Sequence, residues 1–222
     1  MKAIGVFRAL LFISIPLVLV LSWVCLLLTP VFINWEYRRA SFPPDPYGFT
    51  VEDRLHWADI SRQYLVNNQG IDFLANQRLS DGSPLYNARE LRHMSDVKGV
   101  VHGALILWVV SLIVALASVL YLSRKDAAKM ARSVQYGAVL TIVLLAGILA
   151  LVTLAWDQFF VDFHHLFFQG NSWLFSYSDS LIRLFPVQFW QDCFLTLGIG
   201  SALCAIGLWL LARWGERRLA HR

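Results

Sequence analysis

The sequence predicts an all-α membrane protein: four transmembrane helices with a small helical extracytoplasmic cap. Three observations predict it. The 222 residues are 57% hydrophobic and only 15% charged, with a mean hydropathy of +0.54, well beyond the range of ordinary soluble domains. Four runs reach the ~20 apolar residues that a bilayer crossing requires. The basic residues cluster at those ends of the runs that would share one membrane face.

The first run is "ALLFISIPLVLVLSWVCLLLTPVFI", residues 9–33. It is too long for a secretory signal and lacks a small-residue cleavage site. "LSWVC" carries Val where a lipobox needs a small residue, so Cys25 reads as a membrane-buried thiol. The other runs are "GVVHGALILWVVSLIVALASVLYL" (99–122), "VQYGAVLTIVLLAGILALVTLAW" (134–156) and "WQDCFLTLGIGSALCAIGLWLLA" (190–212). Gly198, Gly200, Ser201, Ala205 and Gly207 in the last run suit close helix packing.

Lys2 and Arg8 precede the first run, Arg124, Lys125, Lys129 and Arg132 occupy the connection at 123–133, and Arg213, Arg217, Arg218 and Arg222 follow the fourth. The positive-inside rule therefore places both termini in the cytoplasm. The connection at 157–189 holds only Arg183 and three aspartates, as an outside loop should. The net charge of +4 is this topological bias and not a nucleic-acid footprint. The expected organisation is a cytoplasmic stub and first span over 1–33, the cap over 34–98, and the remaining spans and loops over 99–222. Cys25, Cys193 and Cys204 all fall in spans, so no disulfide framework holds the cap.

The cap reads as helical. After the turn-rich "FPPDPYG", Thr50 and Asp53 make a capping box for a helix to about Val66. "NNQG" ends it, "IDFLANQ" is a short second helix, and "SDGSP" is a loop. Asn87 and Glu90 form another capping box, and from there nothing breaks the helix before the second span.

Five histidines, His56, His93, His102, His164 and His165, belong to this outer half; His221 lies in the cytoplasmic tail. His93 has Glu90 and Asp96 one turn to either side, and Tyr86, Glu90, His93 and Val97 share a face. Asp162 stands three residues before His165. A carboxylate beside an imidazole fixes its tautomer and raises its basicity, which tunes a general base. The bland reading of each unit is an interfacial histidine hydrogen-bonded for structure. Two such units beside neighbouring spans favour chemistry. Adjacent histidines on a regular helix point apart, and no HExxH or zinc spacing occurs, so no metal site is expected. P-loop, GxGxxG and GxSxG motifs are missing too.

"ELRHMSDVK" before the second span and "FHHLFFQGNSWLF" after the third resemble the two signature segments of the lipoprotein intramolecular transacylase (Lit) family, and "YGFTVEDRLHWA" is similar to the opening of that family's outer domain. The resemblance implies an enzyme of the bacterial cytoplasmic membrane with its active site at the outer face. Such an enzyme moves the sn-2 acyl chain of a diacylglyceryl lipoprotein onto the α-amino group of its own N-terminal cysteine, with no cofactor. It implies His93 and His165 as the catalytic pair. Glu90, Asp96, Asp162, His164 and Tyr86 are expected to support them, with Asn171, Arg89 or Arg92 as oxyanion donors. The partners implied are diacylglyceryl lipoproteins and membrane lipid. The phenylalanines around the histidines would line an acyl-chain passage, or equally form an interfacial aromatic belt. A non-enzymatic lipid-binding or chaperone protein, or a His–metal membrane hydrolase, are the alternatives.

Overall fold

The computed structural model describes residues 2–220; His221 and Arg222, placed in the tail by sequence, lie outside them. Among the described residues there are nine helices and no strand beyond an isolated bridge between Arg78 and Pro84. Four helices are long and apolar enough to cross a membrane: α1 (Lys2–Leu27), α5 (Ala88–Lys125), α6 (Ala127–Leu154) and α9 (Val187–Ala220). Between them come α2 (Pro30–Tyr37), α3 (Val51–Val66), α4 (Asp72–Ala75), α7 (Trp156–Phe167) and α8 (Ser180–Leu184).

The expected first span is shorter than its apolar run. The chain breaks at Thr29, which is extended (φ −87, ψ 158) ahead of Pro30. A residue before proline is pushed out of the helical region, and proline is at home in a helix's first turn. "VFI" therefore belongs to α2. The connection expected as a loop over 157–189 likewise contains two helices, α7 and α8. At 38 residues, α5 is ~57 Å long by helical rise, against a hydrocarbon core of ~30 Å. Its apolar part begins at Gly99, so 88–98 form a polar extension that carries His93.

The chain divides into two compact units. One comprises Met1–Val24, Ala104–Thr153 and Leu195–Arg222. Its buried contacts centre on Leu11, Ile15, Leu122 and Val134. Small residues set its spacing. A Cβ on Gly200 would fall 2.3 Å from the Trp23 ring, and one on Gly198 would fall 2.5 Å from Leu149. Ser201 and Ala205 are fully buried, whereas Gly207 faces open space. Pro16 within α1 cannot donate to the Phe12 carbonyl four residues back. That carbonyl lies towards Gly137 of α6, where a Cβ would meet it at 3.0 Å and Ile15 Cβ at 2.7 Å. A cavity of about 310 Å³ lined by Gly5, Arg8, Ala9, Phe12, Ser133 and Tyr136 holds none of the histidines.

The other unit comprises Cys25–Gly103 and Leu154–Phe194. Helix α3 is its hub, packing on α2, α4 and α8. The Thr50–Asp53 capping box starts α3 as its sequence predicts. Tyr64, Leu74, Leu85, Tyr86, Met94, Leu181 and Leu184 form one core; Phe32, Ile33, Tyr37, Ala58 and Phe189 form a second. Ionic ties reinforce it. Arg183 binds Asp45 at 2.9 Å while lying over the Phe49 ring. Arg39 bridges Glu36 (2.9 Å) and Asp192 (3.1 Å). Burial, then Asp192, pushes the Glu36 carboxyl up to about 7.

Gly137 and Gly147 share one helix but differ in surroundings, since nothing lies within 4 Å of a Cβ on Gly147. Gly137→Ala is therefore expected to destabilise by about 1–3 kcal/mol through overpacking, whereas Gly147→Ala is expected to leave the melting temperature of the detergent-purified protein unchanged or slightly raised. Equal effects would contradict this account of the α1–α6 contact.

Candidate active site

His93 sits in the second turn of α5 and is 9% exposed. Its surroundings are rings. Phe168 and Phe175 present their edges at 4.9 and 5.3 Å, and the His164 imidazole stacks at 6.0 Å with an interplanar angle of 22°. Its Nδ1 is buried and makes no hydrogen bond. Burial, and secondarily the His164 ring, holds the His93 pKa down to about 4. An imidazolium would lose its hydration here and gain no carboxylate in return.

Helix α7 supplies the second ring. His164 Nδ1 lies 2.7 Å from the Phe160 carbonyl one turn earlier. A carbonyl only accepts, so Nδ1 carries the proton and donates it, leaving the Nε2 lone pair free. Burial lowers the His164 pKa; the Phe160 bond acts the other way, and neighbouring His165 lowers it further. Phe159, Phe163 and Trp156, on the same helix, pack on Phe194. This aromatic stripe fixes which side of α7 turns inward.

Several site residues expected from sequence lie elsewhere than expected. Successive helical side chains are ~100° apart, and the ring that faces His93 is His164; His165 is exposed and rests edge-on to Trp173 at 5.5 Å. The expected imidazole–carboxylate units do not form. Glu90 accepts from the backbone N–H of Asn87 and of Leu181, each at 2.7 Å. It is the N3 residue of its own capping box, completed by Asn87 Oδ1 accepting from Glu90 N–H, and that geometry turns it back from His93. Asp162 accepts from Gln158 at 2.8 Å. Asp96 is exposed, with Ser172 Oγ at 3.5 Å. Tyr86 precedes α5, and its hydroxyl is 2.6 Å from Ser61 Oγ. Of the expected oxyanion donors, Arg89 is paired with Asp179 at 3.2 Å, and Arg92 and Asn171 are exposed. His56 meets Trp57 edge-on at 4.5 Å, and no ring contact joins it or His102 to the cluster among the described residues.

Sequence reasoning missed Trp173. It is 7% exposed, 4.7 Å from the His164 ring and 6.3 Å from Phe160. Its indole Nε1 is buried without a partner. The signal was its place in "QGNSWLF", a loop that returns past the histidines after a turn at Gly170, whose φ of +68° suits glycine. Among the described residues, no three His, Cys, Asp or Glu side chains converge as a metal site. The arrangement gathers two imidazoles, each with its pKa lowered by burial, and one indole in an aromatic cluster.

Comparison with known proteins gives a consistent picture. The family model for lipoprotein intramolecular transacylase Lit matches residues 9–190. An uncharacterized protein of Aquifex aeolicus (strain VF5) is 32% identical over 175 residues, 79% of this chain and 78% of that one. The in meso structure of the membrane-integral lipoprotein intramolecular transacylase Lit from Bacillus cereus aligns with a TM-score of 0.84 at 17% identity, covering 100% of this chain and 99% of that one. A second structure of that protein, with a histidine replaced by alanine, aligns at 0.75 and 17% identity over 100% and 97%. At such identity these two likenesses concern the fold.

Glu90 ties the start of the His93 helix to α8. Removing its carboxylate leaves the buried Leu181 N–H unpaired, at about 1–3 kcal/mol, and half-dissolves a cap worth about 1 kcal/mol. Glu90→Ala is expected to lower stability by roughly 1.5–3.5 kcal/mol on those terms, read from the unfolding midpoint of the purified protein. A loss no larger than that of Asp162→Ala would contradict the assignment.

Proposed function

The chain belongs to the lipoprotein intramolecular transacylase family and is a multi-pass membrane acyltransferase; on that premise we propose that His93 and His164 move the sn-2 acyl chain of a diacylglyceryl lipoprotein to the α-amino group of its N-terminal cysteine. The observation that carries the proposal is the stacked pair of imidazoles, His93 buried and His164 half-buried, with ring centroids 6.0 Å apart and His93 flanked by Phe168 and Phe175.

The amine nitrogen attacks the ester carbonyl carbon. Once the ammonium has lost its extra proton to solvent, a C–N bond forms, the C–O bond to the glyceryl oxygen breaks, the free amine gives up one proton and that oxygen receives one. Protons and electrons balance within one molecule, and ester-to-amide conversion is downhill, so no co-reactant is required. The obstacles are kinetic. An α-amine has a pKa of about 7.7–8.0 and is mostly protonated at neutral pH. His164, with Nδ1–H anchored on Phe160, offers Nε2 as the base. His93 is neutral, so it can accept a proton at one nitrogen while donating from the other, and it passes the proton to the departing oxygen. Held against each other, amine and ester gain the roughly 7–11 kcal/mol available to well-oriented intramolecular attack.

The phenylalanines that border the histidines line the path of the acyl chain. Membrane lipid surrounds the site, which lies at the outer face, with both termini cytoplasmic. The distribution of Lys2, Arg8, Arg124, Lys125, Arg213 and Arg217 supports that orientation.

In a bacterium that performs no other N-acylation, the mass of a reporter lipoprotein's N-terminal peptide reads the reaction. General acid–base groups contribute about 10²–10⁴-fold, so His93→Ala and His164→Ala are each expected to cut lyso-lipoprotein formation by at least about 100-fold with normal membrane insertion. His165→Ala is expected to keep most of it. Full product from both of the first two variants would overturn the mechanism; loss in His165→Ala with retention in His164→Ala would return the base to His165.

A further inference from the structure

Two polar atoms in the aromatic box are buried without partners: His93 Nδ1 and Trp173 Nε1. The imidazole nitrogen is used by the mechanism above; the indole N–H is not. A buried donor left unsatisfied is costly, and each such group in a folded protein calls for an explanation, a catalytic role among them. Trp173 is within ring contact of both α7 histidines, 4.7 Å from His164 and 5.5 Å from His165. The charged or amide donors nearby are either engaged or exposed: Arg89 on Asp179, Asn171 at the surface.

We propose that the indole N–H of Trp173 donates a hydrogen bond to the carbonyl oxygen of the acyl group in transit and stabilises the oxyanion of the tetrahedral intermediate. The inference rests on the transacylase reading. When the amine adds to the ester carbon, the carbonyl π electrons move onto oxygen, and that charge develops where water is scarce. A neutral donor fixed by packing needs no reorganisation to meet it. An indole carries one donor and no acceptor, so it holds the oxyanion and cannot compete for the amine proton. Its ring also flanks the imidazole that takes that proton, which puts base and oxyanion donor on the same small centre.

The test replaces the Trp173 indole by benzothiophene through 3-benzothienylalanine, in which sulfur stands in for N–H in a ring of nearly the same shape. The full-length protein is assayed in lipid nanodiscs with a diacylglyceryl lipopeptide. The expected result is a kcat about 100-fold lower, as for loss of one oxyanion donor, with KM, pH profile and melting temperature unchanged. An unchanged kcat, or a loss confined to KM, overturns the proposal. His164→Ala is assayed in parallel: full activity there sinks the histidine mechanism, whereas its inactivity beside a fully active benzothienyl variant sinks the indole proposal alone. A second measurement reads the unmodified indole directly. An alkyl phosphonate that mimics the tetrahedral centre should shift the ¹⁵N–¹H indole resonance of Trp173, assigned as the one missing in Trp173→Phe; an unmoved resonance overturns the proposal.

Discussion

Burial of His93 without a hydrogen-bond partner for Nδ1 is the constraint on which the site depends. Phe168, Phe175 and His164 exclude water from its ring, and exclusion of water keeps it neutral. A carboxylate placed beside it would restore the charge that burial removes. The molecule avoids this by committing Glu90 to two backbone N–H groups. The uncompensated Nδ1 and the uncompensated Trp173 N–H both lower stability, and the surrounding fold has to hold them in place.

The frame that does so is rigid for identifiable reasons. His93 stands on a helix that continues unbroken into an apolar run, so its position is not set by a loop. The segment carrying Phe168, Trp173 and Phe175 is flexible by composition, with Gly170 and four serines nearby. It is pinned at its far end by Glu90 to Leu181 N–H and by Arg183 to Asp45. Beyond it, α9 places Asp192, in its second turn, in the Arg39–Glu36 cluster. Each tie lies close to a point where the chain changes direction.

Much of this was legible in the sequence, and the limits are physical. Apolar runs of bilayer length locate four spans because lipid imposes the length. The two capping boxes, Thr50–Asp53 and Asn87–Glu90, were readable because the side chain and the orphan N–H groups lie within one turn. That same locality misled the reading of Glu90, whose single carboxylate was also expected to serve His93; the cap holds it. Choosing between His164 and His165 needs the rotation of α7, which follows from the packing of Phe159, Phe163 and Phe194 and not from spacing alone. The break before Pro30 is written in the dipeptide Thr29–Pro30, yet hydropathy runs straight across it. Trp173 is recognisable as a donor only once its burial is known.

On the proposed reaction, in which one substrate molecule carries both the acyl donor and the amine acceptor, the protein has mainly to supply geometry and dryness. The central claim is therefore the neutrality of the imidazole pair. Histidine-selective ¹⁵N spectra of the full-length protein in nanodiscs, titrated from neutral pH to about pH 5 through the ordinary imidazole pKa of ~6.5, measure it directly. The resonances lost in His93→Gln and His164→Gln identify the two rings. His93 is expected to remain neutral throughout, in keeping with a pKa of about 4, and His164 to hold its proton on Nδ1 and titrate below the ordinary value. Both rings charging near the ordinary value, or His164 protonated on Nε2, would contradict it.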